Sequence, residues 1–261
     1  MIFIIKEMFN GFHYLFPKGK FRIVLIALAA IAATISVSEL LVMKFFATLV
    51  LNEDEFSREF LGWAIAGFLL FFVLTRVSQY FQKSYLIKAF ARSFRAAKKN
   101  QTAKEENKEW AMAFELSKVM SSATQLLAII AFFFFLSPLL ALVNLIILIT
   151  VLQFLGRVFK KQMLMQKELV LKNRKKRVKP EKRYSIRVKA GESGALMASG
   201  GTLILLGLLL YLSVGGQISP ANALVIFLGA RLQNAVISNT SRSLMRYANS
   251  SSRIDSDNDI E

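Results

Sequence analysis

The residues of this sequence that could carry chemistry are a few charges that lie inside, or at the ends of, long apolar runs. They are Glu39, Lys44, Arg76 and Arg231. Two further boundary charges, Glu115 and Lys118, are spaced i, i+3 and are expected to pair with each other on a cytoplasmic helical extension. A charged side chain within a bilayer is costly, so it indicates either a functional site or a structural pair. Such residues could line a substrate pathway, pair with a partner, or extend their charged ends to a nearby interface.

These alternatives differ among the four positions. Glu39 and Lys44 are both expected in the outer half of the first apolar span, but a spacing of five residues is not ideal for one helical face. A direct pair between them is therefore left open, as is a substrate-pathway role. Lys44 and Arg76 are also candidates for reaching an interface. Arg231, well inside the last apolar run, is the best single candidate for facing a cavity or an acidic partner.

Conventional catalytic and metal sites are not predicted. The chain has no Cys and a single histidine, His13, which excludes disulfides and cysteine nucleophiles and leaves little basis for zinc or hydrolase chemistry. A phosphate-binding loop needs G-x-x-x-x-G-K-[ST], and the only Gly-Lys pair, Gly19-Lys20, lacks the rest of that pattern. We therefore expect no enzyme activity, no catalytic residues, no metal and no cofactor.

The elements that position the charges are apolar helices, and the clearest pair lies in residues 119–155. Two runs without a charged residue, Val119–Leu136 and Leu139–Leu155, are separated only by Ser137-Pro138. At about 1.5 Å per residue, each run covers most of a hydrocarbon core of about 30 Å. Proline cannot continue the first helix but suits the first turn of a second. The alternative is a buried hairpin of a large soluble protein, yet soluble helices seldom lack a polar face over such lengths.

Hydropathy predicts an all-α membrane protein with six transmembrane helices preceded by an interfacial helix. Residues 1–17 are expected to form that amphipathic helix, stopped by Pro17, and no cleaved signal peptide is expected. Residues 18–254 would form the six-helix transmembrane domain and residues 255–261 an acidic C-terminal tail. The predicted spans are Ile23–Met43 (continuing to Leu51), Phe60–Thr75, Val119–Leu136, Leu139–Leu155, Leu196–Leu212 and Ala221–Ile237.

The distribution of positive charge predicts the orientation. The net charge is +17, yet the connections after spans one, three and five contain only one basic residue, Arg58. Because Lys and Arg accumulate in cytoplasmic loops, both termini are expected in the cytoplasm of a multi-pass protein, with a bacterial inner membrane as the expected location. The charge is therefore no argument for nucleic-acid binding. The densest cluster, Arg174-Lys175-Lys176-Arg177, is predicted to contact anionic lipid headgroups or an acidic partner.

Short motifs lie at the ends of the predicted spans. They are the turn Leu136–Leu139 (LSPL), the turn Gly216–Ala221 (GQISPA) and the stretch Ala248–Ile254 (ANSSSRI). Together with the six-span pattern, these motifs resemble the membrane domain of ABC exporters over nearly the whole chain. The resemblance implies that fold, and pairing with a second copy or a similar membrane subunit, with helices exchanged around one translocation path.

Two features depart from the ABC exporter pattern. The chain ends where the ATPase domain of that family would begin, so a separate ATPase would be required. Residues 213–217 superficially resemble an ATPase signature, but they lie in a predicted turn between spans. The cytoplasmic hairpins also look short. We expect helix to resume only at about Trp110, and the overhang of span five to be about half of the ~30 Å available to span four.

Two functions follow from these observations. The first is an ABC-exporter-like membrane subunit without its own ATPase, which forms part of a transport complex. The alternative is a non-transporting structural or accessory subunit of a larger membrane assembly, docking partners or anionic lipid through its basic loops. The short hairpins favour this alternative. A lipid-interacting protein that uses the basic residues 157–189 is a third and weaker hypothesis.

A reporter fusion tests the orientation. A reporter that is active only in the cytoplasm, fused after Glu261, is expected to be active because the basic connections should lie on that side. The same reporter fused at Ser213 is the control and should be inactive. The reverse pattern would overturn the orientation.

Overall fold

The computed structural model describes residues 1–17, 19–51, 58–97, 103–175 and 179–258. Within these ranges the chain forms helices and no strands. In chain order the helices are α1 (Ile2–Leu15), α2 (Gly19–Leu51), α3 (Arg58–Ala97), α4 (Ala103–Leu136), α5 (Pro138–Lys175), α6 (Pro180–Val214) and α7 (Pro220–Asn258). The all-α prediction is confirmed.

Six of these helices, α2 to α7, are long and apolar enough to cross a membrane. The candidate spans are Gly19–Leu51, Leu61–Ala96, Glu105–Leu136, Pro138–Val170, Tyr184–Val214 and Pro220–Ser252. Each of the helices α2 to α7 contains one of the six predicted apolar runs. Because about 20 residues suffice to cross the hydrocarbon, helices of this length extend well beyond it.

Two tight turns join helices at one end of the bundle, which we call the turn end. The Ser137 N–H donates to the carbonyl oxygen of Phe133 at 2.9 Å, and α5 begins at the next residue, Pro138. Between α6 and α7, Gly216 has φ +69°, a left-handed conformation that glycine adopts without strain. The Gln217 N–H closes that turn on the carbonyl oxygen of Leu212 at 3.0 Å. Both predicted turns are confirmed.

The opposite end, which we call the basic end, holds α1, the end of α3, the start of α4, the end of α5 and the start of α6. The predicted N-terminal helix is confirmed, and one side of it is buried by Ile4, Met8, Phe12 and Leu15. This side packs against α4 and α5. The Tyr247 hydroxyl of α7 also donates to the carbonyl oxygen of Glu7 at 3.2 Å. Thus α1 is part of the bundle core at the basic end.

An aromatic cluster closes the basic end around the last turns of α3. Phe90 stacks on Phe16 with ring centroids 5.5 Å apart and meets Phe114 edge-on at 5.3 Å. Phe94 meets Trp110 edge-on at 5.2 Å. Edge-to-face and offset pairs at these distances are favourable beyond the area they bury. The cluster therefore fixes the end of α3 to the residues after α1 and to the start of α4.

Helix α7 lies at the centre of the bundle and α3 at its periphery. Helix α7 packs against α6, α4, α5 and α2, whereas α3 packs mainly against α2. Many large side chains of α3 are therefore exposed, including Trp63 and Tyr80.

Two helix boundaries differ from the sequence-based expectation. Helix α4 begins at Ala103, not near Trp110. Glu105 and Glu106 lie in its first turn, where acidic side chains stabilise a helix by interacting with the positive end of its dipole. Helix α6 begins at Pro180, a residue suited to a first turn, so its overhang before Leu196 reaches ~24 Å. The expectation of half the span-four overhang was therefore wrong.

A glycine substitution tests the packing of α6. A side chain at Gly194 would overlap Ser241 of α7 and Leu155 of α5, whereas Gly207 has open space around it. Gly194→Leu should therefore destabilise the fold by about 1–3 kcal/mol, the usual range for overpacking. Thermal unfolding in detergent provides the measurement, with Gly207→Leu as the matched control. Equal transition temperatures for the two variants would contradict this packing.

Candidate functional site

A fully buried amide pair joins α5 to α7. Asn144 and Gln233 are both buried, and the amide nitrogen of each donates to the carbonyl oxygen of the other at 2.8 Å. Hydrocarbon offers no alternative partner to such groups, so a reciprocal pair satisfies both side chains at once. This pair fixes the relative position of α5 and α7 within the membrane-spanning region.

A second polar contact joins α2 to α3. The Gln79 Nε2 donates to Glu39 Oε1 at 3.2 Å, and the Arg76 guanidinium donates to Gln79 Oε1 at 3.3 Å. Arg76 is exposed and also lies over the ring of Phe72, with its Cζ 5.4 Å from the centroid. Gln79 therefore bridges the carboxylate of α2 and the guanidinium of α3.

Lys44 binds α7 and does not pair with Glu39. Its ammonium donates to the Asn222 side-chain oxygen, two residues after the start of α7 at Pro220. The two charges that the sequence groups together thus have separate partners on different helices. Each of them ties α2 to a neighbour, Glu39 to α3 and Lys44 to α7.

Arg231 belongs to a polar face of α7 that the other helices leave uncovered. We call it the α7 polar face and define it by Arg231, Asn234, Ala235, Ser238 and Asn239. Arg231, Ala235 and Asn239 are exposed, and Asn234 and Ser238 are half-buried. Arg231 has no hydrogen bond or ion pair with any residue that the structure describes.

The α7 polar face lies well inside the candidate span. Arg231 is about 17 Å along α7 from its first residue, counting 1.5 Å per residue. The Asn234 amide is partly satisfied by α6, since its nitrogen donates to the Ser199 hydroxyl at 3.3 Å. A guanidinium with its fork of free donors next to an amide can bind a carboxylate, a phosphate or polar groups of another protein.

Ion pairs at the basic end hold α4, α6 and α7 together. The Glu115 carboxylate of α4 forms an ion pair with the Lys118 ammonium at 3.2 Å, as the i, i+3 spacing predicts. Its Oε1 also pairs with Arg246 Nε of α7 at 3.1 Å. Arg242 of α7 pairs with both carboxylate oxygens of Glu192 of α6, at 2.9 and 3.3 Å. Because Glu192 and Arg242 are about half exposed, that pair contributes little stability. It joins α6 to α7 at the basic end.

The predicted basic cluster, Arg174–Arg177, lies largely outside the residues that the structure describes. Lys176 and Arg177 lie outside the described residues. The backbone of Arg174 and Lys175 forms the end of α5, but their side chains are not described. Binding of anionic lipid or an acidic partner by these four residues stays a prediction.

Several polar contacts between helices are made by uncharged amides, which the sequence-based prediction did not single out. The predicted site residues are all charged, whereas Gln79, Asn144, Asn222 and Gln233 make several of the contacts between helices. Each lies within or beside an apolar run, and an amide in such a run is the signal for an interhelical hydrogen bond.

Comparison with models of known protein families gives no match to this chain, and comparison with curated proteins gives no relative.

A double-mutant cycle tests the amide pair. Asn144→Leu alone should cost about 0.6–2 kcal/mol, because it leaves Gln233 buried without a partner. The double variant Asn144→Leu/Gln233→Leu should recover part of this loss. Unfolding in detergent is the measurement, and Thr150→Val, which removes an exposed bond within α5, is the control. Additive losses in the double variant would exclude the pairing.

Proposed function

We propose that this chain is a membrane subunit of the ABC-exporter type, which pairs with a second membrane subunit through the α7 polar face and takes its energy from a separate ATPase. The observation that carries the proposal is the exposed Arg231, without a partner in the described chain, deep in the candidate span of α7. The resemblance of the turn and closing motifs to that family supports the choice of protein class.

The α7 polar face is not stable against lipid. An Arg near the centre of a span costs about 2.5–3.5 kcal/mol on insertion scales, and Asn234 and Asn239 add polar surface beside it. Polar residues within spans almost always face a protein neighbour or a water-filled cavity. A second subunit would provide one of these surroundings, either by packing over this face or by enclosing a water-filled cavity with it.

The position of α3 supports the same arrangement. Since α3 packs mainly against α2, its remaining sides are open to contact along the length of the span. The resemblance to ABC exporters implies that helices of the partner subunit occupy such a position. We propose both termini in the cytoplasm of a bacterial inner membrane, from the positive-inside rule.

The alternative is a non-transporting accessory subunit of a larger membrane assembly, and the short connections favour it. Only residues 98–102 separate α3 from α4, and only residues 176–179 separate α5 from α6. These lengths leave little room for the short coupling helices that the ABC exporter resemblance implies at contacts with an ATPase. The long α5 and α6 overhangs would then dock a different partner.

Cysteine cross-linking tests the role of the α7 polar face. The chain has no Cys, so a single Ala235→Cys variant gives one reactive site. In native membranes a thiol-reactive reagent that carries a benzophenone should, on illumination, join Ala235→Cys to a second copy or to another membrane protein, because that face is covered. Leu203→Cys, on an exposed apolar position of α6, is the matched control. Adducts at both positions, or at neither, would contradict the proposal.

Purification from native membranes distinguishes the two functions. Extraction of the tagged chain in mild detergent, followed by identification of co-purifying chains, should yield a stoichiometric ATPase if the chain is a transport subunit. A stable complex without any ATPase would instead identify it as an accessory subunit and exclude the transport proposal.

A further inference from the structure

A large apolar cavity lies between α1, α2, α4, α5 and α7 in the basic-end half of the bundle. Its volume is about 510 Å³, within the range of pockets that hold small ligands. Among the described lining residues, Thr240 alone has a polar side chain, and its hydroxyl donates to the carbonyl oxygen of Val236 at 2.7 Å within α7. No lining side chain is left to bind a polar ligand.

The cavity opens sideways and has a closed inner wall. Exposed apolar residues surround its mouth, namely Ile5 and Phe9 of α1, Ile26 of α2 and Leu127 of α4. Its inner wall consists of buried residues such as Leu148 of α5 and Leu244 of α7. A mouth with an apolar rim on the surface of a membrane-spanning bundle faces hydrocarbon. Apolar cavities of this kind exclude water and admit apolar ligands.

On several walls of the cavity, a basic residue lies near a lining residue in the chain, on the side of the basic end. Arg22 lies one turn before Ile26 in α2, Lys118 precedes Val119 in α4, and Arg157 follows Leu152 in α5. On this wall Lys118 of α4 and Arg246 of α7 share the single carboxylate of Glu115, so the three groups together keep one positive charge in excess. Helix α1 adds one charge of each sign, Lys6 and Glu7. The excess of positive charge beside an apolar cavity complements a lipid with an anionic headgroup.

From this geometry we propose that the cavity is a binding site for one acyl chain of an anionic phospholipid. The chain enters between α1, α2 and α4, and the headgroup stays at the basic end among the Lys and Arg side chains. The bound chain fills the space under α1 and so completes the packing of α1 on the bundle. This site is independent of the proposed transport or accessory function, since its lining residues belong to one subunit and none of them is part of the α7 polar face.

Photolabelling of the full wild-type chain tests the proposal directly. The protein is reconstituted in vesicles that contain phosphatidylglycerol with a photoreactive group near the end of a 16-carbon chain, and labelled peptides are identified by mass spectrometry. We expect label on inner-wall residues such as Leu148 and Leu244. Label restricted to outward-facing residues, such as Leu203 of α6, would overturn the proposal. A cavity filled by a helix of a second copy would give that same negative result.

Two matched comparisons complete the test. Phosphatidylcholine with the same photoreactive chain should label the inner wall several-fold less, and equal labelling would exclude the headgroup preference. Ala123→Phe places a ring in the cavity and should reduce inner-wall labelling at least several-fold. Ala66→Phe, on an exposed position of α3, should leave it unchanged. Undiminished labelling in a folded Ala123→Phe variant would exclude this cavity as the site.

Discussion

Hydrocarbon offers no hydrogen-bond partner, and this lack determines how both the backbone and the polar side chains of the bundle are arranged. It requires every backbone amide within the bilayer to be paired inside its own helix, which explains long helices joined by minimal turns. It also requires polar side chains to find partners on neighbouring helices. Gln79 with Glu39, Asn222 with Lys44, and Asn144 with Gln233 are such contacts. Each joins a different pair of helices.

Helix α7 gathers most of these contacts and also presents the polar face that lacks one. It binds α2 through Asn222, α5 through Gln233 and α6 through Asn234, while Arg231 points to no described partner. A helix that is polar on its inner and outer sides is suited to a position between two subunits. The peripheral α3 and the central α7 are therefore explained together if another membrane subunit covers both.

The sequence predicts the fold better than the site. Apolar runs and the residues Pro138 and Gly216 define the spans and their turns, because these signals are local. The start of α4 at Ala103 was missed because its polar first turns resemble a loop in composition, although Glu105 and Glu106 suit a helix start. The interhelical partners of Glu39, Lys44 and Asn144 depend on which helices are neighbours, and this is a property of the tertiary arrangement that no local pattern contains.

If a second subunit covers α7, the α7 polar face meets protein or water, whereas the exposed apolar face of α6 around Leu203 meets lipid. A nitroxide spin label attached to Ala235→Cys, with Leu203→Cys as the lipid-facing reference, measures this in native-like membranes through collision rates with oxygen and with a water-soluble nickel complex. We expect high oxygen accessibility at Leu203→Cys and low oxygen accessibility at Ala235→Cys. The same high, lipid-like oxygen accessibility at both positions would contradict this expectation.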